Sequence, residues 1–320
     1  MIKKECFTAE WIEQVSSELH YNDKNLIEKV IRALSLLEML VKAGCPLVFK
    51  GGTALMLILG KSAHRLSIDI DLICPPGTNI EDYLKSFADF GFINLELVER
   101  KQRDDADIPK SHSKFFYQIA YRNDTDAQSY ILLDVLYEDI HYFRTQQIAI
   151  NCPFIRLEGK PLMVTVPSAE DILGDKLTAF APNTTGIPYY RNGRSCSMEI
   201  AKQLYDVGRL FENVSDLQIT KEAFRKIAVV ELSYRSFGTD IGQVFNDIRQ
   251  TALCISTRGK AGEGDFDLIQ DGIIRVKSFM YKQRYLIDHA IIDAARAAYL
   301  ATLIEKGINE IESYSNNPAD

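Results

Sequence analysis

The chain has 320 residues, of which 46% are hydrophobic and 25% are charged. This composition is typical of a globular protein and excludes a largely disordered one. The formal net charge of −7 argues against a protein that coats nucleic acid over its whole surface, but it is compatible with a local basic groove. The apolar stretches are too short to span a bilayer, and no apolar run follows the N-terminal lysines. We therefore expect a cytoplasmic protein without membrane contact.

The N-terminal half of the sequence alternates helical and strand patterns. Apolar residues at steps of three and four predict a strong helix from Asp23 to Gly44, after a first helix over residues 8–20. The charged stretch 99–114 indicates an exposed turn between strands. Further along, a helix is predicted at 79–90, and strands are predicted at 47–49, 66–74, 93–99, 115–121, 129–137, 148–150 and 162–166.

From Pro167 onwards nearly every segment has helical periodicity. Ser168 is expected to cap a helix that begins at Ala169. Further helices are predicted at 195–213, 219–231, 239–254, 265–281 and 285–313. We therefore divide the chain into an α/β domain, residues 1–166, and a helical domain, residues 167–320.

Two aspartates lie two positions apart in the strand predicted at 66–74. Side chains at such positions face the same way, about 7 Å apart along the strand. Asp69 and Asp71 would therefore suit a divalent metal ion that carries a nucleoside triphosphate. The alternative is a strand whose polar edge faces water.

A glycine turn precedes this strand. Gly51, Gly52 and Thr53 would present backbone N–H groups and a hydroxyl to the β- and γ-phosphates at the start of a short helix. The alternative is a plain tight turn. Lys50 and Arg65 flank the turn, and Arg65 would either pair with phosphate or brace the carboxylates.

The sequences KGGTAL at 50–55 and RLSIDIDL at 65–72 carry a family resemblance. They resemble the signature of the polymerase-beta-like nucleotidyltransferases, a glycine turn and short helix followed by a DxD strand. More narrowly, the chain resembles the AbiEii/AbiGii-type toxin nucleotidyltransferases of toxin–antitoxin and phage-resistance systems. The Lys-Leu-x-Ala helix of that family is matched at 176–179. The family also has a helix in which a basic residue is followed four positions later by an aspartate, and Lys202 and Asp206 match this pattern.

The resemblance implies an α+β fold in which an N-terminal mixed sheet with helices precedes a C-terminal helical domain. It also implies a third carboxylate, for which Asp134 is the best candidate because it interrupts the apolar strand predicted at 129–137. Asp69, Asp71 and Asp134 would then hold Mg²⁺ or Mn²⁺. An interior aspartate bonded to backbone or to an arginine is the alternative for Asp134, and Glu138 and Asp139 are weaker candidate ligands.

Other site residues also follow from the resemblance. Arg65 and Ser67 belong to the RLSxDID pattern. Lys176 would bind the triphosphate, and Asp206 would orient Lys176 or the nucleotide. The alternatives are a surface lysine at Lys176 and an ordinary i,i+4 helix pair between Lys202 and Asp206.

Two stretches combine basic and aromatic residues, at 189–194 and at 275–285. Aromatic rings next to cations suit unpaired RNA, with bases stacked and phosphates neutralised. The alternative for both stretches is a half-buried amphipathic face.

The resemblance implies an enzyme that moves NMP from an NTP to an acceptor. The implied acceptor is RNA, for example the acceptor end of tRNA. It would act as a toxin with a cognate antitoxin, and direct contact between the two is not implied. The acidic net charge leaves a small-molecule or protein acceptor open. Gln203 stands where family members often have an acid, which leaves open a nucleotide-binding interaction module without transferase activity.

Overall fold

The structure, a computed structural model, describes residues 1–98, 110–121, 127–214, 216–235, 238 and 240–312. Most of the turn predicted at 99–114 lies outside these residues. The chain forms two compact units. The first contains Met1–Ser168 together with Arg275–Tyr285, and the second begins at Ala169 and resumes at Leu286. The segment Arg275–Tyr285, which the sequence division assigns to the helical domain, is thus part of the first unit.

The first unit combines helices with a mixed sheet. Its helices are α1 (Ala9–Glu18), α2 (Lys24–Lys42) and α3 (Gly51–Leu59). Its strands are β1 (Val48–Lys50), β2 (Ile70–Cys74), β3 (Asn94–Val98), β4 (Lys110–Gln118), β5 (Gln128–Tyr137), β6 (Thr145–Ala149) and β7 (Met163–Pro167).

The sequence predictions for residues 79–90 and for the start of β4 need correction. Residues 79–90 form two short 3-10 turns, Ile80–Tyr83 and Phe87–Phe90, instead of one α-helix. Apolar side chains three apart share a side of a 3-10 turn, so the pattern fits these turns as well as a helix. Strand β4 begins at Lys110, five residues before the predicted start, because its pairing with β5 already starts there despite the charges.

The main sheet has the strand order β1-β2-β5-β4-β3. Strands β2 and β5 run parallel, and the other neighbours are antiparallel. Along β5, Ile131, Leu133 and Val135 are buried, whereas Leu132 and Asp134 on the opposite face are half-buried. Apolar side chains of α2 belong to the same core cluster as the buried set. One face of the sheet is therefore core, and the other is available for polar groups.

The second unit is mainly helical. Its helices are α4 (Ala169–Ala179), α5 (Ser197–Phe211), α6 (Leu217–Ser233), α7 (Ile241–Ser256), α8 (Phe266–Val276) and α9 (Ile287–Lys306), and the last two residues of α8 belong to the first unit. A short hairpin pairs β8 (Tyr190–Arg191) with β9 (Arg194–Ser195). The helix predicted at 265–281 ends as an α-helix at Val276, and the one predicted at 285–313 ends at Lys306, where Gly307 adopts φ 74°.

These two units confirm the predicted α+β class, with an N-terminal mixed sheet and a C-terminal helical region. Within the described ranges, no helix combines the length and apolarity needed to cross a membrane.

A buried ion pair fastens α2 to the end of β4. Arg32 lies 3.3 Å from Glu28, and their side chains are 7% and 1% exposed. Arg32 also donates to the carbonyl of Gly91, while Glu28 accepts from the backbone N–H of Ala120. Because burial removes water from both charges, it raises the pKa of Glu28 and lowers the pKa of Arg32.

We predict that Arg32→Met lowers the free energy of unfolding by about 3–5 kcal/mol, since it leaves Glu28 buried without its counter-charge. Urea unfolding followed by fluorescence of Trp11, the single tryptophan of the chain, measures the loss in this unit. The control is Lys24→Met, which removes the exposed Lys24–Glu13 pair and should cost less than about 1 kcal/mol. Equal losses for the two variants would contradict the role of the buried pair.

Candidate active site

A row of polar side chains crosses four strands of the main sheet. Lys50 on β1 faces Asp71 on β2, Asp71 faces Asp134 on β5, and Asp134 faces His112 on β4. Paired residues on neighbouring strands project from the same face, and the strands lie about 4.8 Å apart. The parallel pairing of β2 with β5 thus brings together two carboxylates that are distant in the sequence.

His112 is a candidate site residue that the sequence does not predict, because the charges of the stretch 99–114 indicate a turn. Its Nδ1 lies within hydrogen-bond distance of Oδ1 of Asp134. The His112 side chain is 11% exposed and that of Asp134 is 36% exposed. The letters at 111–118 show no apolar–polar alternation, and the alternation of half-buried and buried residues over 112–118 is visible only in the folded strand. The interaction orients Asp134 and uses one side of its carboxylate.

Asp69 lies one residue before β2 rather than within it. Its carbonyl oxygen accepts a hydrogen bond from Thr53 Oγ1 at 2.7 Å, which ties the first turn of α3 to the start of β2. Thr53 is fully buried, so its hydroxyl holds the turn in place instead of being presented to a phosphate. The half-buried Asp69 side chain flanks the row of polar residues.

The glycine turn packs directly against this row. Gly51 adopts φ +77°, and a Cβ at this residue would lie 2.0 Å from Oδ2 of Asp71. A Cβ at Gly52 would lie 2.6 Å from Oγ of Ser67 and 3.0 Å from Nη2 of Arg65. Both glycines are therefore needed for close approach, and Gly51 also for its backbone conformation.

Arg65 and its neighbours are held by the returning segment of the first unit. Arg65 forms an antiparallel bridge with Met280, and the N–H of Leu66 donates to the carbonyl of Phe279 at 2.8 Å. Arg65 is 7% exposed, and its Nη1 donates to the carbonyl of Leu66 at 3.0 Å. These contacts favour a bracing role for Arg65. Tyr281 is buried in the same segment, so its ring serves packing.

The carboxylates fit a metal that arrives with its substrate. Among the described residues, no group of three or more His, Cys, Asp or Glu side chains is placed to hold a metal ion. Asp69, Asp71 and Asp134 are therefore not a preformed three-ligand cage. Mg²⁺ is usually bound by one or two carboxylates together with substrate phosphates and water. Asp71 and Asp134, adjacent and half-buried, supply such a donor set.

The second unit contains a buried ion pair between two helices. Nζ of Lys176 on α4 lies 3.1 Å from Oδ2 of Asp206 on α5, and their side chains are 9% and 2% exposed. Lys176 is thus not a surface lysine. Lys202 lies one turn before Asp206 and is half-buried. The structure brings Lys176 to Asp206, which agrees with the alternative that Asp206 orients Lys176.

A mixed sheet that carries paired carboxylates beside a glycine turn and a helix N-terminus is the arrangement of a nucleotidyltransferase. The family model described as "Nucleotidyl transferase AbiEii toxin, Type IV TA system" matches residues 34–295. The chain belongs to this family and is a nucleotidyltransferase of the toxin class of type IV toxin–antitoxin systems.

One solved structure of a similar protein agrees with this fold. The chain resembles MenT4, a nucleotidyltransferase toxin from Mycobacterium tuberculosis H37Rv, with 13% identity over 92% of this chain and 89% of that chain and a TM-score of 0.56. Two Helicobacter pylori structures, JHP933 and a putative nucleotidyltransferase, match at 17% and 18% identity with TM-scores of 0.44 and 0.42. Each covers 88% of this chain and 94% of its own. No curated protein matches the sequence significantly.

We predict that Gly51→Ala lowers the rate of nucleotidyl transfer by about 10²-fold, because the added Cβ displaces the Asp71 carboxylate. Gly44→Ala is the matched control: Gly44 has φ +75° and nothing within 4 Å of an added Cβ. Both variants should lose about 1 kcal/mol of stability through strain at positive φ. Gly51→Ala should lose about 1–3 kcal/mol more through the contact with Asp71, and it alone should lose activity under conditions in which both variants are folded. Equal activity in the two variants would refute the contact.

We predict that Lys176→Met costs about 3–5 kcal/mol of stability, because it leaves Asp206 as an unpaired buried charge. Adding Asp206→Leu should restore most of that stability. If the pair also acts on the nucleotide, the double variant stays inactive despite being folded. Thermal unfolding and transfer rates measured on the same preparations separate the two effects, and recovery of activity together with stability would assign the pair a structural role only.

Proposed function

We propose that this toxin nucleotidyltransferase moves NMP from an NTP to an RNA acceptor, such as the acceptor end of tRNA, in a reaction that depends on Mg²⁺. The observation that carries the proposal is the adjacency of Asp71 and Asp134 on parallel strands, beside the turn formed by Gly51 and Gly52. The acceptor assignment is supported by the resemblance of the ordered motifs to the toxin family.

The donor side of the reaction is built on the first unit. The first backbone N–H groups of α3 lack helical partners and carry the positive end of the helix dipole, so they suit the β- and γ-phosphates. Lys50, next to Asp71 in the row, adds a positive charge at the same face. Arg65 and Ser67, packed on Gly52, keep the turn in this conformation.

Asp71 and Asp134 are the residues that would hold the metal, with Asp69 beside them. A bound Mg²⁺ supplies neutralisation of phosphate charge and lowers the pKa of an attacking hydroxyl. His112 keeps the Asp134 carboxylate in one orientation. In the second unit, Lys176, paired with Asp206, is the candidate for a triphosphate contact, and Lys202 lies one turn away from the pair.

Partners of the protein follow from the same proposal. NTP is the donor, RNA is the acceptor, and membership of a type IV toxin–antitoxin family implies a cognate antitoxin. Antitoxins of this class need not contact the toxin, so the proposal requires no antitoxin interface on this chain.

Label transfer tests the proposal. The protein is incubated with each of the four α-labelled NTPs, Mg²⁺ and fractionated cellular RNA. We expect label on small RNA, its loss with a chelator, and a decrease of at least about 10²-fold for Asp71→Asn. Asp82→Asn, which changes an exposed aspartate paired with Lys85, is the matched control and should transfer normally.

Other outcomes separate the alternatives. If label appears on a protein or a small metabolite but never on RNA, the labelled molecule is the acceptor and RNA is not. Absence of transfer with every NTP, while NTP binding is intact, would indicate a nucleotide-binding interaction module and overturn the proposal.

A further inference from the structure

The sheet face that carries Asp134 continues along β5 to an exposed aromatic residue. Tyr130 lies four positions before Asp134 on the same face, about 13 Å away along the strand. Its partner on β4 is Phe116, and the two ring centroids are 5.7 Å apart. Tyr130 is 39% exposed, whereas aromatic residues on the opposite face of β4, such as Phe115, are fully buried.

Two lysines from different elements converge on the Tyr130 ring. Nζ of Lys114 on β4 lies 5.4 Å from the ring centroid, and Nζ of Lys29 on α2 lies 5.5 Å from it. Lys114 also lies 3.8 Å from Glu96, on the neighbouring strand β3. Such cation–π contacts are weak at exposed sites, so a ligand that offers a better partner can replace them.

We propose that Tyr130, Phe116, Lys29 and Lys114, here called the Tyr130 platform, bind unpaired nucleotides of the acceptor RNA. Exposed aromatic rings stack with bases of any sequence, and neighbouring lysines neutralise the phosphates between them. This inference rests on the proposed RNA acceptor and says where that acceptor lies.

The position of the platform fits an acceptor strand better than a docked protein. Tyr130 and Asp134 belong to one strand, so the distance between the platform and the carboxylates is fixed by the sheet. A few unpaired nucleotides bridge about 13 Å, which lets the strand stack at Tyr130 while its terminal hydroxyl reaches Asp134. The net charge of the chain is −7, but the ammonium groups of Lys29 and Lys114 make the surface around the exposed ring locally positive. This local charge complements phosphate.

The platform also differs from the basic–aromatic stretches that the sequence pointed to. In the stretch 275–285, Tyr281 and Tyr285 are buried, and they cannot stack on a base. In the hairpin of β8 and β9, Tyr190 is 57% exposed next to Arg191 and remains the rival site. Periodicity in the sequence could not reveal the platform, because Lys29, Lys114 and Tyr130 come from three separate elements.

The test measures binding of a fluorescein-labelled single-stranded RNA of about ten nucleotides by anisotropy, without NTP. We expect Tyr130→Ala and Tyr130→Leu each to raise the Kd about 5- to 150-fold, which is the loss of one stacked base. Tyr130→Leu keeps apolar cover over the sheet, so a loss in both variants is not due to unfolding. Tyr130→Phe keeps the ring and should bind within about twofold of wild type.

The lysines are tested by the salt dependence of the same binding. Lys29→Gln combined with Lys114→Gln should reduce the slope of log K against log salt by about 1.4, because two phosphate contacts are lost from a single strand. An unchanged Kd for both Tyr130→Ala and Tyr130→Leu would overturn the proposal, as would a loss confined to Tyr190→Ala. The binding assay contains no NTP, so its result is independent of label transfer. If the Tyr130 platform binds RNA but the protein transfers no label to RNA, the RNA acceptor is refuted and RNA binding at the platform is not.

Discussion

The register between the parallel strands β2 and β5 places Asp71 beside Asp134, and the rest of the site depends on that pairing. Hydrophobic alternation sets the register, since Leu72 and Val135 are partners on the buried face. A slip by one residue would turn the carboxylates into the core and expose the apolar set. The core thus stabilises a register that presents both aspartates side by side on the open face. Lys50 and His112 join the row through the same ladder of partners.

A second constraint is the space around the glycine turn. Gly51 and Gly52 leave no room for a Cβ, because Asp71, Ser67 and Arg65 occupy it. The backbone at Arg65 is in turn held by its bridge to Met280, which is distant in the sequence. The motif is therefore a packed unit in which the backbone of the glycine turn and the Asp71 carboxylate are positioned together. This explains why the turn and the aspartates lie so close in the chain.

The sequence was informative where local pattern decides the structure. The helix α2, the strand with Asp71 and the apolar strand interrupted by Asp134 all follow from periodicity, and the ordered motifs indicated the family that residues 34–295 match. Pairings between distant segments were harder. The parallel contact of β2 with β5 is set by tertiary packing, and so is the contact of Lys176 with Asp206 across two helices.

Errors arose where charge masked a buried pattern. Lysines and histidine in the stretch 110–114 suggested a turn, although Ser113 is buried and β4 already runs through it, so His112 was missed. The helix predicted to reach 281 ends at Val276, because the following residues pair with the segment around Arg65 in the first unit. Both errors concern segments whose structure is set by the sheet rather than by their own propensity.

We propose that Asp71 and Asp134 together hold the metal that accompanies the nucleotide. A crystal structure of the protein with Mn²⁺ and a non-hydrolysable NTP, with anomalous scattering to locate the metal, tests it most directly. We expect a metal in contact with carboxylate oxygens of both residues, with the triphosphate at the start of α3. A metal bound without Asp134, or a triphosphate bound away from Gly51 and Gly52, would contradict it.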